Sequence, residues 1–135
     1  MLNAPDTILL IDDDYATNYL HKRFFSKSDF DSSIMIASDG QEGIDTLLSL
    51  NDTINEEAMV VIILDINMPV MDGWTFLKVF EDVKRQLHFK TALLMVSSSI
   101  NPDDRKRAED SHIVDRYISK PLTQESLEMI RENYC

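Results

Sequence analysis

Four short polar groups stand out along this 135-residue chain because each lies at or just beyond the end of an apolar run. They are Asp12-Asp13-Asp14, Asp65-Ile66-Asn67, Ser97-Ser98-Ser99 and Lys120-Pro121. Carboxylates from the first two groups, held about 4 Å apart at an effective dielectric near 20, repel by roughly 4 kcal/mol, equivalent to about three pKa units. A hard cation with oxygen ligands relieves that repulsion directly. Mg²⁺ commonly takes one or two carboxylates plus phosphate oxygens and keeps several waters. Lys120 supplies a second, compact positive charge. A carboxylate beside such charges can attack a phosphoryl group and form an acyl phosphate. That transfer asks mainly for positioning and charge stabilisation, which Mg²⁺, Lys120 and the Ser97 hydroxyl can provide. The attacking carboxylate is already ionised, so it needs no separate general base.

For these groups to meet, the chain must bring the ends of distant apolar runs together. Five runs read as strands: 8–11, 34–37, 60–64, 92–96 and 117–118. Most are apolar without alternation, as a parallel sheet covered by helices on both faces requires. Helical segments lie between them. Asp14 is a candidate cap before Ala16, Leu20 and Phe24, read as one buried stripe. Asp39 and Glu42 have capping-box spacing before Ile44, Leu47 and Leu48, and Asp72 precedes Phe76, Leu77, Phe80 and Val83. Asn101 and Pro102 open a fourth helix whose apolar content is nearly confined to Ala108, and a fifth begins near Thr123 with Leu127, Ile130 and Tyr134 on one side. The segment 51–57 is polar and acidic and reads as an extended loop.

This alternation predicts an α/β fold: a doubly wound, five-stranded parallel sheet of flavodoxin-like order 2-1-3-4-5 with helices on both faces. In such a sheet ligands bind outside the carboxyl ends of the strands, where the winding reverses. Strands one and three are neighbours there, so Asp12-Asp13 and Asp65 converge.

Composition narrows the class. The chain has the length of one domain, and its 44% hydrophobic and 27% charged residues fit a globular core. With 24 acidic against 13 basic residues the net charge is -11, a field that repels nucleic-acid backbones and anionic lipid and favours cations and basic partners. The sole cysteine, Cys135, can form no intramolecular disulfide. The first residues lack signal-peptide character, and the longest apolar run, 58–64, is far short of the ~18 residues of a membrane span. A cytoplasmic domain is expected.

Taken in register on this scaffold, the residues resemble the receiver domains of two-component response regulators over nearly the whole chain. The matching features are Asp12-Asp13, the run Asp65-Ile66-Asn67-Met68-Pro69 with Met71-Asp72-Gly73, Ser97, and Lys120-Pro121. The resemblance implies a single receiver domain over 1–135, with its structured core at about 6–134, of the stand-alone type. It implies Asp65 as phosphoacceptor and Asp13 and Asp65 as direct Mg²⁺ ligands. Asn67 would contribute its backbone carbonyl, and Asp12 would act largely through metal-bound water. It further implies Ser97 bonding the phosphoryl oxygen in place of the commoner threonine, Lys120 pairing with it, Tyr117 as the aromatic switch residue, and a cis Lys120-Pro121 bond, which X-Pro bonds tolerate. The expected phosphodonor is a histidine kinase or histidine phosphotransfer protein. The effector is open, nucleic acid and membrane are not expected as partners, and a phosphorylation-dependent dimer is an option. The partner surface is expected on helix four, strand five and helix five. That fourth helix, with few apolar contacts, should open at low cost.

Each group alone has a plainer reading: a capped turn for Asp12-Asp13-Asp14, a polar loop for the serines, an exposed lysine for Lys120. Their register outweighs those readings. His21, His88 and His112 lack metal-ligand spacing and read as surface or boundary residues. Two other functions compete: a phosphorelay shuttle or phosphate sink with the same site, and an aspartyl-phosphate hydrolase of the haloacid dehalogenase class. The hydrolase motif carries a second aspartate where this chain has Asn67, so a multiple-turnover enzyme is not expected. No P-loop motif occurs. Departures from the receiver pattern are the long segment between Asp13 and Asp65, Arg116 before Tyr117, and Ser97 itself.

Overall fold

The computed structural model describes residues 4–28, 30–66, 68, 71–99 and 101–134. Strands β1 (Thr7–Ile11), β2 (Ser33–Ala37), β3 (Met59–Leu64), β4 (Lys90–Ser97) and β5 (Arg116–Ser119) alternate with helices α1 (Tyr15–Ser26), α2 (Gly40–Leu50), α3 (Gly73–Lys84), α4 (Pro102–Asp110) and α5 (Gln124–Asn133). All strand pairs are parallel and the order is β2-β1-β3-β4-β5, as the alternation predicts.

Because successive strand residues point to opposite faces, the sheet carries two cores. Leu9, Ile11, Ile62, Leu64, Leu93 and Met95 pack with Phe76 and Phe80 beneath α2 and α3. Ile8, Leu10, Val61, Ile63 and Leu94 pack with Phe25, Leu127 and Ile130 beneath α1 and α5. Burial on both sides explains why these strands lack polar alternation.

The caps follow the sequence. Asp14, Asp39, Asp72, Asn101 and Thr123 each accept a hydrogen bond from a first-turn amide of their helix. In α2, however, the Glu42 carboxylate accepts from Ser38 rather than closing a box with Asp39. Residues 51–57 form turns held to the α3–β4 connection, where Asn51 Nδ2 donates to the Gln86 carbonyl at 2.7 Å and His88 N donates to Asn51 Oδ1 at 3.0 Å.

Helix α1 corrects the sequence reading. Ala16 and Leu20 are exposed, Leu20 by 61%, and only Phe24 of the expected stripe is even half-buried. The inner face instead runs Asn18, His21, Phe25. Its first two residues are polar because that end of the helix lies against the acidic strand ends, while Phe25 reaches the apolar core. His21 is therefore buried rather than at the surface, while His88 and His112 are exposed.

Candidate functional site

The register of the sheet builds the site. Ile11 pairs with Leu64, so the next residues, Asp12 and Asp65, leave adjacent parallel strands at the same level. Asp65 N donates to the Ile11 carbonyl at 3.0 Å, which continues the ladder into the site. Gly73 lets α3 begin close by: a Cβ there would lie 2.9 Å from Ile66 Cα and 3.0 Å from the Asp65 carbonyl oxygen, both main chain.

Asp12, Asp13 and Asp65 each offer a carboxylate oxygen within 4.8 Å of the others. Three hard oxygen donors at that separation suit a divalent cation such as Mg²⁺, and the cluster could hold a metal. Asp12 and Asp65 are buried, and Asp13 is exposed at the mouth. Lys120 Nζ lies between the two buried carboxylates, 3.1 Å from Asp12 Oδ2 and 3.4 Å from Asp65 Oδ1. The Lys120 N–H donates to the Ser97 carbonyl at 2.9 Å, which fixes the lysine's origin against β4, and the Lys120-Pro121 bond is cis.

Burial first, and then the Asp12 charge, push the Asp65 carboxyl up to about 6, with Lys120 opposing them. Burial also works against the Lys120 ammonium, but the Asp65 and Asp12 charges outweigh it and hold the lysine above its ordinary value. One ammonium thus does not fully neutralise two buried carboxylates. That residual repulsion is what a cation or the loss of a charge at Asp65 would relieve.

Ser97 ends β4 fully buried, and its Oγ accepts from Ser99 N at 3.0 Å. Ser99 Oγ in turn donates to Asp104 Oδ2 at 2.6 Å, joining the loop after β4 to the first turn of α4. Tyr117, half-buried on β5, carries the Arg105 guanidinium 4.9 Å from its ring centre, and its hydroxyl is buried without a hydrogen-bond partner among the described residues. Trp74 at the start of α3 is likewise covered by Arg107 of α4 at 4.2 Å. Asn67 lies outside the described residues.

Sequence reasoning missed Asn18. Its side-chain amide is buried one turn into α1 and donates to the Asp12 carbonyl at 2.7 Å. The spacing 18, 21, 25, ending on an aromatic residue, was the available signal.

Comparison with known proteins agrees with this geometry. The family model of the response regulator receiver domain matches residues 8–131. The probable methanogenesis regulatory protein FilR2 of Methanothrix harundinacea is 30% identical over 124 residues, covering 91% of this chain and 77% of that protein. The sensor histidine kinase CheAY of Helicobacter pylori is 34% identical over 127 residues, 93% of this chain but only 15% of its own length. A two-component response regulator from Cytophaga hutchinsonii has a solved structure similar to this one, with TM-score 0.80 and 30% identity over 96% of both chains. Sheet order, strand-end carboxylates and family match coincide on one stretch of chain, which belongs to the response regulator receiver family and has its phosphoacceptor role in two-component signalling.

Proposed function

We propose that the phosphoacceptor is the carboxylate of Asp65, and that the chain works as a switch loaded from a phosphohistidine. The observation that carries this reading is that Asp65 is buried 3.4 Å from Lys120 Nζ, with a carboxylate oxygen within 4.8 Å of those of Asp12 and Asp13. In the transfer, an Asp65 oxygen bonds to phosphorus as the phosphorus–nitrogen bond of the donor breaks. The electron pair stays on the donor imidazole, which takes up a proton. Lys120 offers its ammonium to the charge on the phosphoryl oxygens, and the Ser97 hydroxyl is the second group assigned to them. Asp12, Asp13 and Asp65 would hold Mg²⁺ with the Asn67 carbonyl, and the ion when bound supplies positive charge against the phosphoryl oxygens.

The reading takes 1–135 as one receiver domain with its core at about 6–134. It is a phosphoryl acceptor in the cytoplasm and not a multiple-turnover enzyme, since Asn67 stands where a hydrolase would need a second acid. The donor is a histidine kinase or a histidine phosphotransfer protein. Tyr15, Tyr19 and Leu20 support this, because they expose a largely apolar face of α1 directly after the acidic turn, flanked by Lys22 and Arg23. For the effector, the reading uses the face of α4, β5 and α5, with Ser97 and Tyr117 as switch residues. Arg105, Arg116, Tyr117, Pro121 and Met129 line a groove there.

Borohydride reduces an aspartyl phosphate to homoserine, so peptide mapping after phosphoramidate treatment locates the acceptor. Homoserine is expected at position 65; homoserine at 12 or 13 would contradict the assignment. In a second arm, Leu20→Asp is expected to slow labelling by a phosphohistidine protein and leave labelling by phosphoramidate unchanged. Equal slowing with both donors would remove α1 from donor docking.

A further inference from the structure

Asn18 is an unusual residue for the inner face of a helix. It is 3% exposed, and its Oδ1 is buried with no hydrogen-bond partner among the described residues, facing a hollow it shares with His21, Asp12, Asp65 and Lys120. A buried, unpaired amide oxygen costs stability, so this position would suit an apolar side chain better if packing alone were at stake.

The other half of the amide offers a reason for it. Asn18 Nδ2 donates to the carbonyl of Asp12, the oxygen of the peptide plane that joins Asp12 to Asp13. Asp12 is held at three further points: its N–H donates to the Ala37 carbonyl at 3.2 Å, Oδ1 accepts from Asp14 N at 2.9 Å, and Oδ2 accepts from Lys120 Nζ at 3.1 Å. Those bonds fix Asp12 and its carboxylate and turn the chain around Asp13, but none of them holds the oxygen of the peptide leading to Asp13, which Asn18 bonds. The Asp13 side chain is exposed at the mouth, so its direction depends on that plane.

We propose that Asn18 is a positioning residue for the cation site, acting through the carbonyl of the Asp12–Asp13 peptide to hold the Asp13 carboxylate beside that of Asp12 in a cation-binding arrangement. The proposal rests on reading Asp12, Asp13 and Asp65 as a divalent-cation site. Outer partners that orient ligands typically set metal affinity by 10–100-fold, and Asn18 contacts no metal itself.

The test is Mn²⁺ binding to the full chain, followed by the electron paramagnetic resonance of the free ion. Wild type, Asn18→Leu, Asn18→Ala and Phe25→Leu are compared, with Tm recorded for each. Phe25 packs deeper on the same face of α1 and serves as the control for simple loss of stability. Both Asn18 variants are expected to weaken Mn²⁺ binding roughly tenfold, and Phe25→Leu is expected to lower Tm and leave binding unchanged. Wild-type affinity in folded Asn18→Leu or Asn18→Ala would overturn the positioning role alone. Phe25→Leu weakening binding as much as they do would reduce Asn18 to a packing residue. Absence of Mn²⁺ binding in the wild type would overturn the cation site and the proposal with it.

Discussion

Asp65 is a stability liability in the absence of a bound cation. Its carboxyl stays protonated up to about 6 in the fold against 3.8 as its ordinary value. Between those values the folded chain binds more protons than the unfolded one, so stability falls as pH rises through the window and stays reduced above it. About two pKa units at ~1.36 kcal/mol each put the cost on the order of 3 kcal/mol at neutral pH. Asp65→Asn removes the charge and keeps the shape. It is expected to stabilise the fold by roughly 1–3 kcal/mol at pH 7.5 without divalent metal, and by little near pH 4. Urea titrations at the two pH values measure this, and a less stable Asp65→Asn at pH 7.5 would contradict the electrostatic account. The convergence of Asp12 and Asp65 was legible in the sequence, because residues that follow paired parallel strands must emerge side by side. The 18, 21, 25 spacing could have placed Asn18 on the inner face, but its role was not legible, because a side-chain bond to a main-chain carbonyl leaves no motif.

At the scale of elements, the five strands were legible to within two residues; burial on both faces leaves β1, β3 and β4 continuously apolar, while the edge strands β2 and β5 are more exposed and were read from their short apolar runs. Helix α1 was misread because an apolar spacing of 16, 20, 24 competes with the true inner face of 18, 21, 25, whose first two residues are polar. Helix α4 matches its expected weak anchoring. Ala108 is its one buried residue, and it is tied to its neighbours by Arg105 over Tyr117, Arg107 over Trp74, and Ser99 to Asp104. Charge–ring contacts contribute about 0.5–1 kcal/mol each at exposed sites, less than a buried leucine would. Removing both arginines, by Arg105→Ala with Arg107→Ala, is expected to speed hydrogen exchange of α4 amides several-fold and leave those of β3 unchanged. Equal acceleration in both elements would show that α4 does not open by itself.

Across the whole molecule, charge and fold act together. A chain of net charge -11 gathers three carboxylates at the carboxyl end of its sheet and places a lysine between the two that are buried. The surplus negative charge there is tolerable for a fold whose buried strands stabilise it elsewhere, and it is of the sign that would favour a cation. Among the described residues no helix is long and apolar enough to cross a membrane. The measurement that tests the account most directly is the intact mass after phosphoramidate treatment, with and without Mg²⁺, for wild type and Asp65→Asn. One added phosphoryl group, dependent on Mg²⁺ and absent from the variant, is expected. Equal labelling of Asp65→Asn, or a folded wild type that binds Mg²⁺ and takes up no phosphoryl group, would contradict it.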